Sequence, residues 1–280
     1  MYLELTFNLN EPITENGEIV AALLNDLNYE TVQDEGLIKA YKPGEEYSLK
    51  GIKAELTSLL DLGLCAPKYV QKIIEKSNWN KVWESNFNPV EINGICHIRA
   101  NFHEPINDGL MEIVITPKMS FGTGHHATTA LMIEALDELT LTNLRCLDMG
   151  TGTGILAIFS IKKGAHSVLA IDNDEWCATN TLENITINKV ADKIDVVHGD
   201  AYHLDQESKF DLIIANINRN ILMADMDTYV HKLKKGGTIL FSGFHQEDVA
   251  LLESHANELG LKLDRSAERD TWVCLRFIKV

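Results

Sequence analysis

No stretch of the chain approaches the ~20 consecutive apolar residues needed to span a bilayer, which excludes a membrane-spanning helix. A secretory leader is not expected either. Met1 to Asn10 carries Glu4 and has no basic run before an apolar core, so it reads as the first strand of a folded domain. Cysteine is scarce: Cys65, Cys96, Cys146, Cys177 and Cys274 are scattered, odd in number, and never spaced C-x-x-C. That disfavours a disulfide framework or a zinc site and points to a reducing cytoplasm. Positive charge is also short. Twenty-five Lys and Arg against 41 Asp and Glu give a formal charge of −16. Such a surface repels phosphate backbones, so a broad nucleic-acid footprint is disfavoured. It suits a basic protein partner, or serves solubility.

What is present fits a globular protein. The 280 residues are 45% apolar and 24% charged, enough for one large domain or two smaller ones. Two regions separate along the chain. In residues 1–76, Leu3, Leu5, Phe7 and Leu9 alternate with polar residues at strand period. Ile19, Leu23, Leu24 and Leu27 recur at helical spacing. Tyr29 to Val32 and Leu37 to Tyr41 flank a turn at Asp34-Glu35-Gly36. Ile52, Leu56, Leu59 and Leu60 form a second helical stripe, and Tyr69 to Ile74 reads as a last strand. The order β-α-β-β-α-β predicts a small α+β ferredoxin-like domain. No chemical constellation falls in it, which suggests a recognition or scaffold role. Residues 77–90 read as a linker helix, with Trp79, Trp83 and Phe87 on one face and Asn88-Pro89 ending it.

From 91 to 280 strands alternate with helices. Strands are predicted at Ile113 to Thr116, Arg145 to Met149, Val168 to Asp172, Ile194 to Val197, Leu212 to Asn216 and Thr238 to Ser242, with two more closing the chain. Helices are predicted at Thr128 to Leu139, Ile155 to Lys163, Glu175 to Asn188, Ile221 to Leu233 and Glu247 to Leu259. The pattern is α/β, a doubly wound and mainly parallel sheet covered by helices. Such sheets bind ligands beyond the carboxyl ends of their strands.

The candidate chemistry sits at those ends. Asp148-Met149-Gly150-Thr151-Gly152-Thr153-Gly154 joins a strand to a helix. Glycines there permit turns closed to other residues and close backbone approach to a ligand. A dinucleotide fingerprint would be G-x-G-x-x-G, but here the third glycine comes one residue early, and Ile155 takes its place. Asp172 ends the next strand, 22 residues after Gly150, where a carboxylate can accept both hydroxyls of a ribose. Capping the following helix is the alternative, open also to Asn173 or Asp174. Asp200 ends the third strand and can accept the exocyclic amine of an adenine, or serve a turn. A nucleoside is accommodated, but a pyrophosphate cradle is missing.

G-x-G-x-G preceded by Asp148, with Asp172 further on, resembles the Rossmann-like S-adenosylmethionine-dependent methyltransferases. Two further segments sharpen the likeness: Phe121-Gly122-Thr123-Gly124-His125-His126-Ala127-Thr128-Thr129 and Asp211-Leu212-Ile213-Ile214-Ala215-Asn216-Ile217. With them the whole chain resembles the ribosomal-protein methyltransferase A family, bacterial enzymes that methylate amino groups of the eleventh large-subunit ribosomal protein. The resemblance implies a seven-stranded sheet, a monomer, S-adenosyl-L-methionine as cofactor, and cofactor contacts at Thr129, Gly150, Asp172 and Asn216. Phe121, Gly122, Asp148, Gly152, Gly154 and Asp200 complete the expected cofactor site, and Asn216 is the expected catalytic residue. Thr129 faces the methionine part in that reading, although Thr128 or Thr129 can equally cap the first helix. The family loop usually reads Thr-His-Pro where this chain has His125-His126-Ala127.

The His125-His126 pair is not expected to bind metal, since adjacent side chains point apart and no nearby carboxylate completes a ligand set. Methyl transfer to an amine needs orientation and electrostatics rather than a Ser/His/Asp or Cys/His constellation, and none is visible. Two rivals are weighed. A nucleic-acid amino-methyltransferase would carry N-P-P-Y or a relative where this chain has Asn216-Ile217-Asn218-Arg219. A nicotinamide oxidoreductase would need the third glycine in register.

Overall fold

A computed structural model describes residues 2–8, 21, 24, 29–34, 37–43 and 69–74, and then 87–280 apart from 117 and 119. The chain divides into two compact units, Met1–Asn86 and Phe87–Val280.

In the first unit the expected strands form β1 (Tyr2–Asn8), β2 (Glu30–Asp34), β3 (Leu37–Pro43) and β4 (Tyr69–Ile74). Leu3, Leu5 and Phe7 are buried while Glu4 and Thr6 are partly exposed, as a strand with one covered face requires. The strands pair antiparallel in the order β2-β3-β1-β4, the sheet order of a ferredoxin-like unit. Ala21 and Leu24 are helical and buried. The rest of that helical stripe, the stripe at Ile52–Leu60 and the positions of Trp79 and Trp83 lie outside the described residues. Phe87 is described and is not helical, which corrects its placement on the linker helix. Pro89 follows two residues later and biases the preceding backbone to extended conformations. The Phe87 ring packs instead edge-on to His125, with centroids 4.7 Å apart.

The second unit opens with a three-stranded sheet of β5 (Val90–Ile92), β6 (Cys96–Ala100) and β7 (Met111–Ile115). Sequence periodicity finds only β7. β6 escapes it because Cys-His-Ile-Arg-Ala reads as polar, yet all five residues are buried. Burial is tolerated because the polar members are paired. Arg99 donates twice to the Glu112 carboxylate, at 2.7 and 2.9 Å, and the His97 ring meets Asp108 at 2.5 Å.

Then follow α1 (Ala127–Asp137), β8 (Arg145–Met149), α2 (Ile155–Lys162), β9 (Ser167–Asp172), α3 (Glu175–Ile187) and β10 (Ile194–His198). β11 (Phe210–Asn216), α4 (Arg219–Lys232), β12 (Leu233–His245), α5 (Val249–Glu258), β13 (Leu261–Arg269) and β14 (Trp272–Lys279) complete the chain. The sheet runs β10-β9-β8-β11-β12-β14-β13. Its first five strands are parallel, and β14 is antiparallel to both neighbours.

Both faces are covered, so the strands read as near-continuous apolar runs whose residues alternate between two cores. Cys146, Val168, Ala170, Leu212 and Ile214 join α1 and α2 in one. Leu147, Leu169, Ile171, Ile213 and Phe241 join α4 and α5 in the other. α2 has seven of its eight residues buried, which is why it shows no polar stripe. The winding reverses between β8 and β11, and the crevice at their carboxyl ends is where a ligand belongs. No helix among the described residues is long and apolar enough to cross a membrane.

Candidate active site

The glycine turn after β8 is tied to its neighbours by backbone bonds. The Gly150 and Thr151 N–H groups both donate to Ile171 O, at 2.9 and 3.1 Å. Gly150 lies at φ +67°, and a side chain there would run into Ile217, the residue after β11. Gly154 stands at the N-cap of α2 with no side chain to satisfy the first N–H groups of the helix.

Asp172 anchors the turn from β9. Its Oδ2 accepts the Gly152 N–H at 2.8 Å and its Oδ1 accepts the Asp174 N–H at 3.0 Å. A carboxylate has about four acceptor sites, so about two remain for a pair of hydroxyls. The capping role open in the sequence falls elsewhere: Asp174 caps α3, accepting the Trp176 N–H at 2.8 Å. Asp200 takes the turn role open to it, capping a 3-10 turn (Ala201–Gln206), and it also lines the crevice.

The F-G-T-G loop docks directly on the glycine turn. Phe121 O accepts the Thr153 N–H at 3.0 Å, and Gly122 O accepts the Thr153 hydroxyl at 2.5 Å. From α3, the Asn184 amide donates to Thr153 O (2.8 Å) while its oxygen accepts the Thr116 N–H (2.8 Å). The helix cap is neither Thr128 nor Thr129, which corrects that expectation. His126 caps α1, its Nδ1 accepting the Thr128 N–H. Thr129 Oγ1 is thereby left buried without a partner. Asn216 Oδ1, at the end of β11, is the same kind of orphan. Among the described residues Ser120 Oγ and Asn180 Oδ1 are likewise buried without a partner, so four side-chain oxygens here depart from the usual pairing of buried polar atoms.

Gly150, Asp172 and Asp200 line one cleft of about 360 Å³, with Met149, Ile171 and Ile221 as apolar walls. The size and lining suit a nucleoside. Asp148, Gly152 and Gly154 are not among its lining residues; they shape the turn from beneath.

Asp148 is the least comfortable group. It is 1% exposed, and burial pushes its carboxyl from the ordinary 3.8 up to about 7. The Thr151 hydroxyl, donating at 2.6 Å, and the Ala157 N–H favour the ionised form; the nearby Asp172 charge opposes it. A carboxyl whose pKa rises on folding favours the native state when protonated. That contribution is complete below the unfolded pKa and is lost as pH climbs through about 7. Relative to Asp148→Asn, the parent therefore loses up to about 1.4 kcal/mol per pH unit between roughly pH 4 and 7. Urea unfolding of both proteins across that range checks this. Parallel stability curves would contradict it.

The family described as "Ribosomal protein L11 methyltransferase (PrmA)" matches residues 6–279. The chain belongs to this family. A ribosomal protein L11 methyltransferase of Porphyromonas gingivalis is 45% identical over 277 residues, covering 98% of this chain and 95% of that protein. One from Bacteroides fragilis is 39% identical over 280 residues, with 99% of each covered. A crystal structure of ribosomal protein L11 methylase from Lactobacillus delbrueckii subsp. bulgaricus superposes with a TM-score of 0.63 at 28% identity. It covers 68% of this chain and 98% of that one.

This member of the ribosomal protein L11 methyltransferase family is accordingly a methyltransferase, and its seven-stranded sheet is the one expected. Sequence reasoning missed several lining residues. Asp225 and Tyr229 of α4 face the same cleft, with the Tyr229 hydroxyl donating to Asp225 at 3.2 Å. Burial lifts the Asp225 carboxyl above its usual range; the Tyr229 bond opposes this and the Asp200 charge adds to it. Their i, i+4 spacing on one helix face was the available signal.

Proposed function

We propose that the chain transfers methyl groups from S-adenosylmethionine to amino groups, lysine side chains or an N-terminal amine, of the large-subunit ribosomal protein named in its family. The proposed setting is the cytoplasm. The observation that carries this reading is the pairing of a nucleoside-sized cleft at Gly150, Asp172 and Asp200 with an orphaned amide oxygen on Asn216 at the adjacent strand end. Relatives matched over nearly the whole chain support the choice of substrate.

The roles follow from position. Asp172 would hold the ribose hydroxyls on its free acceptor sites. Asp200 would take the adenine amine, and Thr129 the methionine part. S-adenosylmethionine supplies an activated methyl group on a sulfonium. A lysine amine, with pKa ~10.4, is mostly protonated at neutral pH and must shed its proton before it can attack. Asn216 Oδ1 would then accept one of the two amine N–H groups and so orient the lone pair for attack on the methyl group. Positioning of this kind is worth several kcal/mol.

The test is incubation of the purified chain with radiolabelled S-adenosylmethionine and a ribosomal extract, followed by separate protease and nuclease digestion. Protease-sensitive label on the ribosomal protein is expected. Nuclease-sensitive label would support the rival nucleic-acid methyltransferase.

The unit Met1–Asn86 holds none of the cofactor residues, and we assign it the selection of the protein partner. A fragment beginning near Asn78 is expected to bind S-adenosylmethionine with near-parental affinity and to fail on the intact ribosomal protein. Calorimetry and a methylation assay on the same preparation decide. Full methylation would refute the recognition role, and loss of cofactor binding in a folded fragment would point to a covering role.

A further inference from the structure

Four rings from three distant segments meet in a row beside the candidate site. Phe121 packs on His126 with centroids 5.1 Å apart, His126 on Trp272 at 4.7 Å, and Trp272 on His245 at 3.9 Å. Phe121 is 52% exposed, and the other three are partly exposed. The row starts on the loop bonded to the glycine turn after β8, passes Trp272 at the start of β14 and ends on His245, the last residue of β12. In the sheet, β11 and β12 lie between β8 and β14. Asn216 ends β11, in register with Ser242 of β12, and His245 follows three residues beyond Ser242. Trp272 therefore lies two strands from β11, about 10 Å across the sheet, and about 10 Å beyond Asn216 along the strand direction.

The rings are held, not merely adjacent. The His126 Nδ1 is engaged in capping α1. His245 pairs with Trp272 across the β12–β14 ladder, and its Nδ1 meets the Thr271 hydroxyl at 3.1 Å. The two residues before Trp272 turn the chain with positive φ, Asp270 at +50° and Thr271 at +68°. They form the two-residue hairpin between β13 and β14, in which Arg269 faces Trp272 and both central residues take φ > 0. The Gln246 N–H, donating to Thr271 O at 3.1 Å, locks the turn. Asp248 is paired with Arg219 at 2.7 Å, while Asp270, two residues before Trp272, is exposed. Partly exposed rings can hold an aliphatic chain and its amino or alkylammonium head by packing and cation–ring attraction.

We propose that Trp272, braced by His126 and His245, is the wall against which the amine-bearing chain of the substrate lies on its way to Asn216. This rests on the methyltransferase reading above and adds a substrate-positioning residue to it. The experiment uses the full chain, with Trp272→Phe and Trp272→Leu. Phe keeps a ring face; Leu keeps apolar bulk without one. KM and kcat for the ribosomal protein are measured, with calorimetric affinity for S-adenosylmethionine. Trp272→Leu is expected to raise KM about five- to thirtyfold, the range of a partly desolvated cation–ring contact. Trp272→Phe should stay within about threefold, and cofactor affinity should be unchanged in both. Equal KM in parent and Trp272→Leu, or cofactor affinity falling in step with KM, overturns the proposal.

A second measurement needs no turnover. Binding of Nε-trimethyl-lysine amide is followed by NMR on the cofactor-saturated chain. Binding to parent and Trp272→Phe, and its loss in Trp272→Leu, is expected. Equal binding in all three, or none in the parent, overturns the proposal. A parent that binds this probe but leaves the ribosomal protein unmethylated would sink the functional reading and keep the wall.

Discussion

Gly152→Val is expected to lower the affinity for S-adenosylmethionine by at least about a hundredfold, close to 3 kcal/mol. Three costs act together. Gly152 lies at φ +59°, where an L side chain costs about 1–2 kcal/mol and a branched one more. A Cβ there would overlap Phe121 O, a backbone atom already accepting from Thr153, so it has no side chain to rotate away. Any shift that relieves the overlap pulls the Gly152 N–H off Asp172 and disturbs the carboxylate meant for the ribose. Each of these lies in the turn and the loop docked on it. The two apolar cores stay intact, and the variant is expected to fold. Calorimetry on a sample with parental circular dichroism is the measurement. A folded variant that keeps its parental dissociation constant would show that the turn is not the cofactor's seat.

The same geometry explains what was legible in the sequence. The position of Gly150, Asp172 and Asp200 at the cleft was legible because a parallel sheet opens its crevice at strand ends, and strand ends show as breaks in apolar runs. Asp148, also legible by position, turned out to be enclosed beneath the turn rather than open to the cleft. Its importance is to turn geometry through Thr151. β5 and β6 stayed hidden for a different reason. His97 and Arg99 look like surface residues until their partners Asp108 and Glu112, many residues away, are brought to them. The capping of α1 was misassigned because His126 was read for its place in a motif and not for a ring nitrogen that can accept an N–H. The wall of His126, Trp272 and His245 has no local signature at all. Its members meet only because β12 and β14 pair antiparallel beside α1.

Asn216→Ala is expected to slow methyl transfer about a hundredfold and leave cofactor affinity within about threefold. Asn216 ends β11 and is not among the residues lining the nucleoside cleft, so removing its amide takes little from cofactor binding. Its Oδ1 is buried with no partner in the protein. An unpaired amide oxygen of this kind costs roughly 1–3 kcal/mol in the folded state. The cost is offset when an N–H donor arrives, and under the proposed function that donor is the attacking amine. The bond strengthens as the nitrogen gains positive charge on attack, so it lowers the barrier more than it tightens substrate binding. Two readouts separate this from a structural role. Single-turnover kinetics at saturating cofactor should show the loss, and thermal unfolding of the unliganded variant should show equal or greater stability, since the orphan is gone. A residue that merely held β11 in place would do the reverse, lowering stability and rate together. Parental single-turnover rates in Asn216→Ala would reduce Asn216 to a bystander.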